Sequence, residues 1–386
     1  MASVTKTTTN RGEPRYRVRY RDPARRPREK WFDRKIDADR FAREVEVAKD
    51  RGAYVDPNAG RITVSDWIQQ HEATKLHRRP STVARDTSLL NNHVLPRFGN
   101  RPIGTLQPTE IRAWVAELSS SGLSADTTRK AYRLLASGLE AAVDDGLIAR
   151  NPARRVDLPP VRRREMRFLN HSEVDHLAAA IDPRYQALVI TAAYTGMRFG
   201  ELAALRLEHL SMLPRTIRVE ATLTEVDGRL IVGEPKTKAS RRTIVLPQAV
   251  IDSLARHLSD YPASPDGYVF TSPDGQPLRN ANFRHRFWTP AVRASVGGRL
   301  RFHDLRHTHA ALLIAAGQHP KVIQERLGHS SIRITLDLYG HLMEGLDQAA
   351  ADALDDAISA TSRGADAGLS EYAPITAKGN QAESGA

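Results

Sequence analysis

Two arginines, two histidines and a tyrosine stand in this chain at spacings suited to metal-free attack on a phosphodiester. Arg198 lies in Thr195-Gly-Met-Arg198-Phe-Gly-Glu201-Leu, and His303 and Arg306 lie in Arg-Phe-His303-Asp-Leu-Arg306-His-Thr-His. His329 follows in Leu-Gly-His329-Ser-Ser, and Tyr339 in Leu-Asp-Leu-Tyr339-Gly-His-Leu. A phosphodiester carries negative charge on its nonbridging oxygens, and that charge grows as a nucleophile attacks. The planar guanidinium fork matches two such oxygens and keeps its proton. Removing one preorganised donor of this kind typically costs on the order of a hundredfold in rate. Arg198 and Arg306 are the candidate pair.

Each of these residues also has a plainer reading. Glu201, three residues after Arg198, can hold the guanidinium by an ion pair, and the two could form an ordinary helix salt bridge. His303 and Arg306 lie three apart, so on a helix they point the same way. His303 is then a candidate general acid–base, since imidazole changes charge nearest neutral pH. The cluster His303, His307, His309 raises zinc as an alternative, which the flanking arginines and the lack of a completing acidic ligand argue against. Tyr339 is the candidate nucleophile, with neighbouring arginines expected to lower its pKa from near ~10; alone, it would read as a packing residue. His329 is expected to donate to the phosphate, or simply to cap a helix after Gly328. The leaving oxygen needs a proton. Two of the ten lysines sit together in Glu234-Pro-Lys236-Thr-Lys238-Ala-Ser-Arg241-Arg242, a turn that could reach a site or merely carry surface charge.

Elements must bring these segments together. Residues 15–21 read Arg-Tyr-Arg-Val-Arg-Tyr-Arg, so a strand would place Arg15, Arg17, Arg19 and Arg21 on one face, suited to phosphates, and Tyr16, Val18 and Tyr20 on the other. Lys30-Trp31-Phe32 suggests a second strand and Ala38–Arg51 a helix, giving a ββα-like module over residues 1–55. An exposed linker is expected at Asp56–Gly60. From 62 to 157 apolar residues recur at helical spacing, predicting four or five helices. Pro159-Pro160-Val-Arg162-Arg163-Arg164 reads as a basic linker. A second compact region spans 168–359, opening with a helix capped by Asn170 or Ser172. Strands are expected at Thr216–Leu223 and Thr243–Leu246, separated by the lysine-bearing turn. Residues 360–386 are expected to form a disordered tail. The fold class is mainly α with small β-sheets (α+β).

Composition narrows the field. A net charge of +12 favours a polyanionic partner. Residues 1–35 carry twelve Lys/Arg against four Asp/Glu, whereas 344–386 carry two against eight. With no cysteine, disulfides, thiolate catalysis and Cys-ligated zinc are excluded. No signal peptide or membrane span is evident, so a cytoplasmic protein is expected. No cofactor or metal is called for.

The order of these motifs, from Arg box and lysine hairpin through His-x-x-Arg and Leu-Gly-His-Ser-Ser to the tyrosine, resembles the catalytic signature of the tyrosine recombinases, the phage-integrase family. The likeness is firm over 169–342 and looser over 62–157, which is similar to the family's helical core-binding (SAM-like) domain. Residues 1–55 are similar to an arm-site DNA-binding module. The resemblance implies that Arg198, His303, Arg306 and His329 bind the scissile phosphate of double-stranded DNA. Tyr339 would attack it to form a 3′-phosphotyrosine link. Lys236, or else Lys238, would protonate the leaving oxygen, and Glu201 would take the family's supporting acidic position. It further implies a homotetramer on paired attachment sites, with accessory DNA-bending or directionality proteins as further partners. Ala349–Ile358 could be a helix passed to a neighbour or one packed on its own core. Two other readings stay open at this point: a non-catalytic DNA-binding regulator of the same fold, and a type IB-like topoisomerase.

Overall fold

The computed structural model describes residues 2–8, 13–22, 25–50, 59–161, 166–235 and 238–343, with 351, 352, 354–356 and 358. The chain divides into two compact units, Met1–Glu165 with Glu225–Arg229 and Met166–Thr224 with Leu230–Ala386.

The first unit opens with strands β1 (Ser3–Thr8), β2 (Pro14–Arg21) and β3 (Pro27–Phe32), antiparallel in that order, and helix α1 (Lys35–Asp50). The expected two-strand module therefore has a third strand. β1 is threonine-rich and suited to extended backbone, but only Val4, paired with Val18, marks it as half-buried. Val18 and Tyr20 pack with Ala38, Ala42 and Val45 of α1.

Five helices follow: α2 (Val64–Ala73), α3 (Pro80–Leu89), α4 (Leu95–Phe98), α5 (Pro108–Ser120) and α6 (Ala125–Asp144). They enclose Trp67, Phe98, Trp114, Leu135 and Leu139. A buried indole N–H needs an acceptor. Trp67 donates to the Gly138 carbonyl at 2.7 Å and Trp114 to that of His93 at 3.0 Å. Of the expected linker at 56–60, Gly60 instead lies in a short turn, against Gly104: a Cβ there would sit 3.0 Å from the Gly104 Cα. Residues 56–58 lie outside the described residues.

The second unit begins with α7 (His171–Ala180), where Asn170 and Glu173 cap the helix reciprocally. α8 (Gln186–Thr195) is apolar on nearly every side and runs through the core, in contact with α7, α10 (Gln248–Asp260) and α13 (Asp304–Ala315). α9 (Phe199–Ala203) follows directly. The strands are β4 (Leu210–Ser211), β5 (Thr216–Val219), β6 (Thr222–Val226), β7 (Arg229–Gly233) and β8 (Arg242–Val245). Contrary to expectation, Thr216–Leu223 is not one strand but parts of two. β5 pairs with β8 in the sheet β4-β5-β8, while β6 turns back on β7 in a separate hairpin. The lysine segment connects β7 to β8, after that hairpin.

α11 (Asn280–Phe283), α12 (Thr289–Ala294), α14 (Pro320–Leu327) and α15 (Ile332–Tyr339) complete the unit. The protein is mainly helical with small sheets, the expected fold class. Of Ala349–Ile358, residues 351, 352, 354–356 and 358 are helical, and Leu354 and Ile358 are exposed. Residues 360–386 and 162–165 lie outside the described residues. Among those described, no helix is long and apolar enough to cross a membrane.

Candidate active site

Arg198 sits where α8 ends and α9 begins. α8 stops at Gly196, whose φ of +66° suits glycine, and a Cβ there would lie 2.6 Å from Leu327 and 2.8 Å from the His309 ring. Two residues on, Arg198 is the N-cap of α9. Its Nη1 donates to Glu201 Oε1 at 2.6 Å and its backbone N–H to Oε2 at 3.0 Å. The expected Arg198–Glu201 pair is therefore formed, with Glu201 buried and Arg198 partly open to solvent. Glu201 has a second cation. Arg242, at the start of β8, donates from Nη2 to Oε2 at 3.0 Å. Burial pushes the Glu201 pKa up, but the charge and hydrogen bond of Arg242, then Arg198, more than reverse this and hold it below the usual range.

Arg306 is buried on the first turn of α13. Its Nη1 donates to the Gly196 carbonyl at 2.7 Å and its Nη2 to the Leu327 carbonyl at 2.5 Å, so it ties together the C-terminal ends of α8 and α14. Burial, then the charges of Arg198 and Arg242, pull its pKa down to about 9. His303 is the N-cap of the same helix, in a turn where Asp304 accepts from the Arg301 backbone N–H at 2.7 Å. Desolvation of the ring, then His307, Arg306, Arg198 and Arg301, push the His303 pKa down to about 4. The residue keeps an exposed face, so the cationic neighbours carry the direction of this fall.

His329 follows Gly328, the left-handed C-cap of α14 at φ +66°. A Cβ on Gly328 would meet the Ala239 carbonyl at 2.8 Å. The His329 Nδ1 lies 2.9 Å from Thr335 Oγ1, and the imidazole is buried. Burial, then Arg306 and Arg198, push its pKa down to about 4.

Tyr339 ends α15 with its ring fully buried among Ala310, Ile314, Ile323 and Leu327. Its hydroxyl lies 2.8 Å from His307 Nδ1. The expected fall in its pKa is reversed in this conformation: burial pushes the phenol up to about 12, against a weaker downward pull from Arg306. The sequence shows the cations but not the desolvation.

The structure thus links Arg198, His303, Arg306 and His329 through their mutual electrostatic influence, and brings Tyr339 within reach of Arg306. Lys236, and the side chain of Lys238, lie outside the described residues. Three contacts escape the sequence: Arg242 on Glu201, His307 on Tyr339 and Thr335 on His329. The spacing of His307 suggests only a zinc ligand, and no spacing singles out the other two. Among the described residues no group of three or more His, Asp and Glu side chains is arranged to hold a metal.

The depressed imidazoles have a testable consequence for stability. His329, His309 (down to about 3, through burial and then Arg326) and His307 are neutral in the folded state, while an unfolded histidine titrates near 6.5. Protons therefore bind the unfolded chain first as pH falls. Stability conferred above pH 6.5 is lost between about 6.5 and about 4, each tenfold difference in a ring's proton affinity counting for roughly 1.4 kcal/mol. The thermal midpoint of the DNA-free protein should fall across that window. A flat midpoint would contradict these buried neutral rings.

The N-terminal arginines stand apart from this site. Arg15, Arg17, Arg19 and Arg21 share one face of the β1-β2-β3 sheet with Ser3, Thr5, Thr7 and Trp31. The face is not purely cationic. Asp33 takes Arg15 at 3.1 Å, Glu29 lies 3.7 Å from Arg19, and Arg21 donates to the Arg25 carbonyl at 3.0 Å. The Arg17 guanidinium stacks on Trp31, 5.3 Å from the ring centroid.

A helical domain followed by a mixed domain that gathers two guanidinium groups, imidazoles and a tyrosine defines a class, and comparison with known proteins bears on it directly. Residues 167–345 match the phage integrase family, and residues 63–119 match the phage integrase N-terminal SAM-like domain. The chain is 30% identical to the ICEBs1 integrase of Bacillus subtilis (strain 168) over 295 residues, covering 73% of this chain and 79% of that one. It is also 30% identical to the integrase of Mycobacterium phage L5 over 270 residues, 68% of this chain and 70% of the other. The chain belongs to the phage integrase family of tyrosine recombinases and is a site-specific DNA recombinase. Its fold is like that of the Tn1549 transposon integrase in complex with a circular intermediate DNA, with a TM-score of 0.66 at 22% identity over 76% of this chain and 99% of that one. It is also like that of the lambda integrase dimer bound to a COC′ core site, with a TM-score of 0.58 at 18% identity over 86% and 93%.

Proposed function

We propose that Arg198, His303, Arg306 and His329 grip the scissile phosphate of an attachment site and that Tyr339 attacks it. The observation that carries this reading is the surplus of positive charge at Arg198 and Arg306: the Arg306 pKa is pulled down by Arg198 and Arg242, a strain that an anion would relieve. In the step, Tyr339 Oη bonds to phosphorus, its proton passes to His303, and the bond from phosphorus to the 5′ oxygen breaks. That oxygen takes a proton from Lys236, or from Lys238. The phosphotyrosine link conserves the phosphodiester's free energy, so a new 5′ hydroxyl can rejoin the strand without ATP. Attack requires the His307–Tyr339 hydrogen bond to be exchanged for contact with phosphate. Capture of the protein on a nicked duplex bearing the attachment core, in the presence of chelator, tests this; loss of capture with chelator would indicate a metal-dependent nuclease.

In this reading residues 62–157 bind the core site opposite residues 168–359, and residues 1–55 bind an arm site, in the service of integrating a mobile element. Four protomers act on two DNAs in the cytoplasm, as the lambda integrase tetramer bound to a Holliday junction suggests, and accessory DNA-bending or directionality proteins select the outcome. The aligned face of β2 supports the arm assignment. Replacing Arg15, Arg17, Arg19 and Arg21 with glutamine should flatten the slope of log affinity against log salt by up to about 3 on arm-containing DNA. An unchanged slope would remove this sheet from the DNA-binding surface.

A further inference from the structure

We propose that Arg242 is a positioning residue of the phosphate site. It holds Glu201 so that Arg198 keeps its outward donors for the phosphate, and it fixes the segments leading to His329 and away from the hairpin lysines. The inference rests on the assignment of Arg198 as a phosphate ligand.

Each nitrogen of the Arg242 guanidinium is used. Nε donates to the Arg326 carbonyl at 2.6 Å, Nη1 to the Ser240 carbonyl at 3.0 Å and Nη2 to Glu201 Oε2 at 3.0 Å. The side chain is nearly buried, and so is that of Glu201. Arg326 precedes the Leu327-Gly328-His329 turn, and Ser240 closes the turn that follows Lys236 and Lys238. Packing there is close: a Cβ on Gly328 would lie 3.2 Å from Arg242. One side chain thus joins the Glu201 helix, the lysine segment and the His329 turn.

The charge arithmetic gives this clamp its consequence. A buried carboxylate needs full compensation. Glu201 Oε1 is met by Arg198 Nη1; Oε2 is met by the Arg198 backbone N–H and by Arg242. Of the two cations, Arg242 is the buried one and Arg198 the one partly open to solvent. Without Arg242, Oε2 loses its charged donor. Arg198 is then the only cation left to this carboxylate, and a two-toothed grip on Glu201 would turn its fork away from an incoming phosphate.

The test is a mutant cycle on the full-length protein, using Arg242→Gln, Glu201→Gln and the double variant. Read-outs are the single-turnover rate of covalent capture on a nicked core duplex at saturating protein, DNA affinity and the thermal midpoint. Arg242→Gln should slow capture about tenfold or more, with affinity changed by less than about threefold. Glu201→Gln in the same chain should recover part of that loss, because the uncompensated carboxylate is gone; independent roles would instead multiply. Arg242→Lys keeps the charge but not the three-pronged grip, and stays informative if the glutamine variant does not fold. It should slow capture severalfold at a near-normal thermal midpoint. Wild-type capture rates in a folded Gln or Lys variant, or losses that multiply in the double variant, overturn the proposal. Absence of Tyr339-dependent capture by the wild type would instead overturn the catalytic assignment beneath it.

Discussion

Tyr339→Phe is expected to abolish covalent capture on a nicked core duplex while leaving DNA binding within about threefold of wild type. The substitution removes one oxygen, and with it the only atom proposed to bond to phosphorus, so no residual rate is expected through that route. The phosphate ligands are untouched. The cost in the fold is small and local: the His307 Nδ1 loses its 2.8 Å partner in a buried setting, worth roughly 1–3 kcal/mol. The ring itself, packed among Ala310, Ile314, Ile323 and Leu327, is retained. Binding and capture measured on the same sample at a temperature below the lowered midpoint separate chemistry from stability. A Phe variant that still forms a protease-sensitive adduct would assign the nucleophile to another residue.

The buried phenol also predicts how the wild type behaves. With its pKa pushed up to about 12 by burial, Tyr339 is an unactivated phenol in this conformation. Activation must come with the phosphate, which can draw the hydroxyl from His307 towards Arg306. From sequence alone the arginines look sufficient to lower this pKa. The desolvation is hidden there because periodicity shows that α15 is amphipathic but not that Tyr339, at its end, lies on the covered face.

That contrast marks what is legible in the chain. Chemistry-bearing residues are readable from type and spacing, since arginine forks, an imidazole three residues from an arginine and a lone tyrosine have few joint uses. Arg198–Glu201 is readable because i and i+3 are neighbours at a helix start. Arg242 is not, because 41 residues separate it from Glu201 and only the β5–β8 pairing brings β8 to the site. β1 escapes for a related reason: its threonines carry little apolar pattern, and its register is set by β2. Alternation correctly gives the N-terminal arginine face. Yet Glu29 and Asp33, which temper its charge, belong to or follow a strand whose register the sequence does not fix. Partner choice is tertiary, and local pattern does not encode it.

Arg306→Gln tests the site's other extreme, a buried cation that serves structure and chemistry together. Capture should fall at least about a hundredfold, as for loss of a preorganised oxyanion donor. Stability should fall as well, because the carbonyls of Gly196 and Leu327 lose charged donors in a buried setting, and glutamine's shorter amide cannot span both. Each orphaned carbonyl costs roughly 1–3 kcal/mol. That loss is partly offset, because removing Arg306 relieves the crowding by Arg198 and Arg242 that already draws its pKa down to about 9. The offset leaves a separate signature. Arg306 lowers the pKa of both His303 and His329, so in the variant both imidazoles should titrate nearer 6.5, as read by NMR of the ring protons in the DNA-free protein. Arg306→Lys retains the charge and can satisfy one carbonyl, so it should keep the imidazoles depressed while still losing capture, which needs the fork. Upward imidazole shifts in Gln but not in Lys, with capture lost in both, are the expected pattern. Imidazoles that stay put in the Gln variant would mean that Arg306 does not act on them electrostatically, and the charge-surplus argument for phosphate binding would lose its foundation.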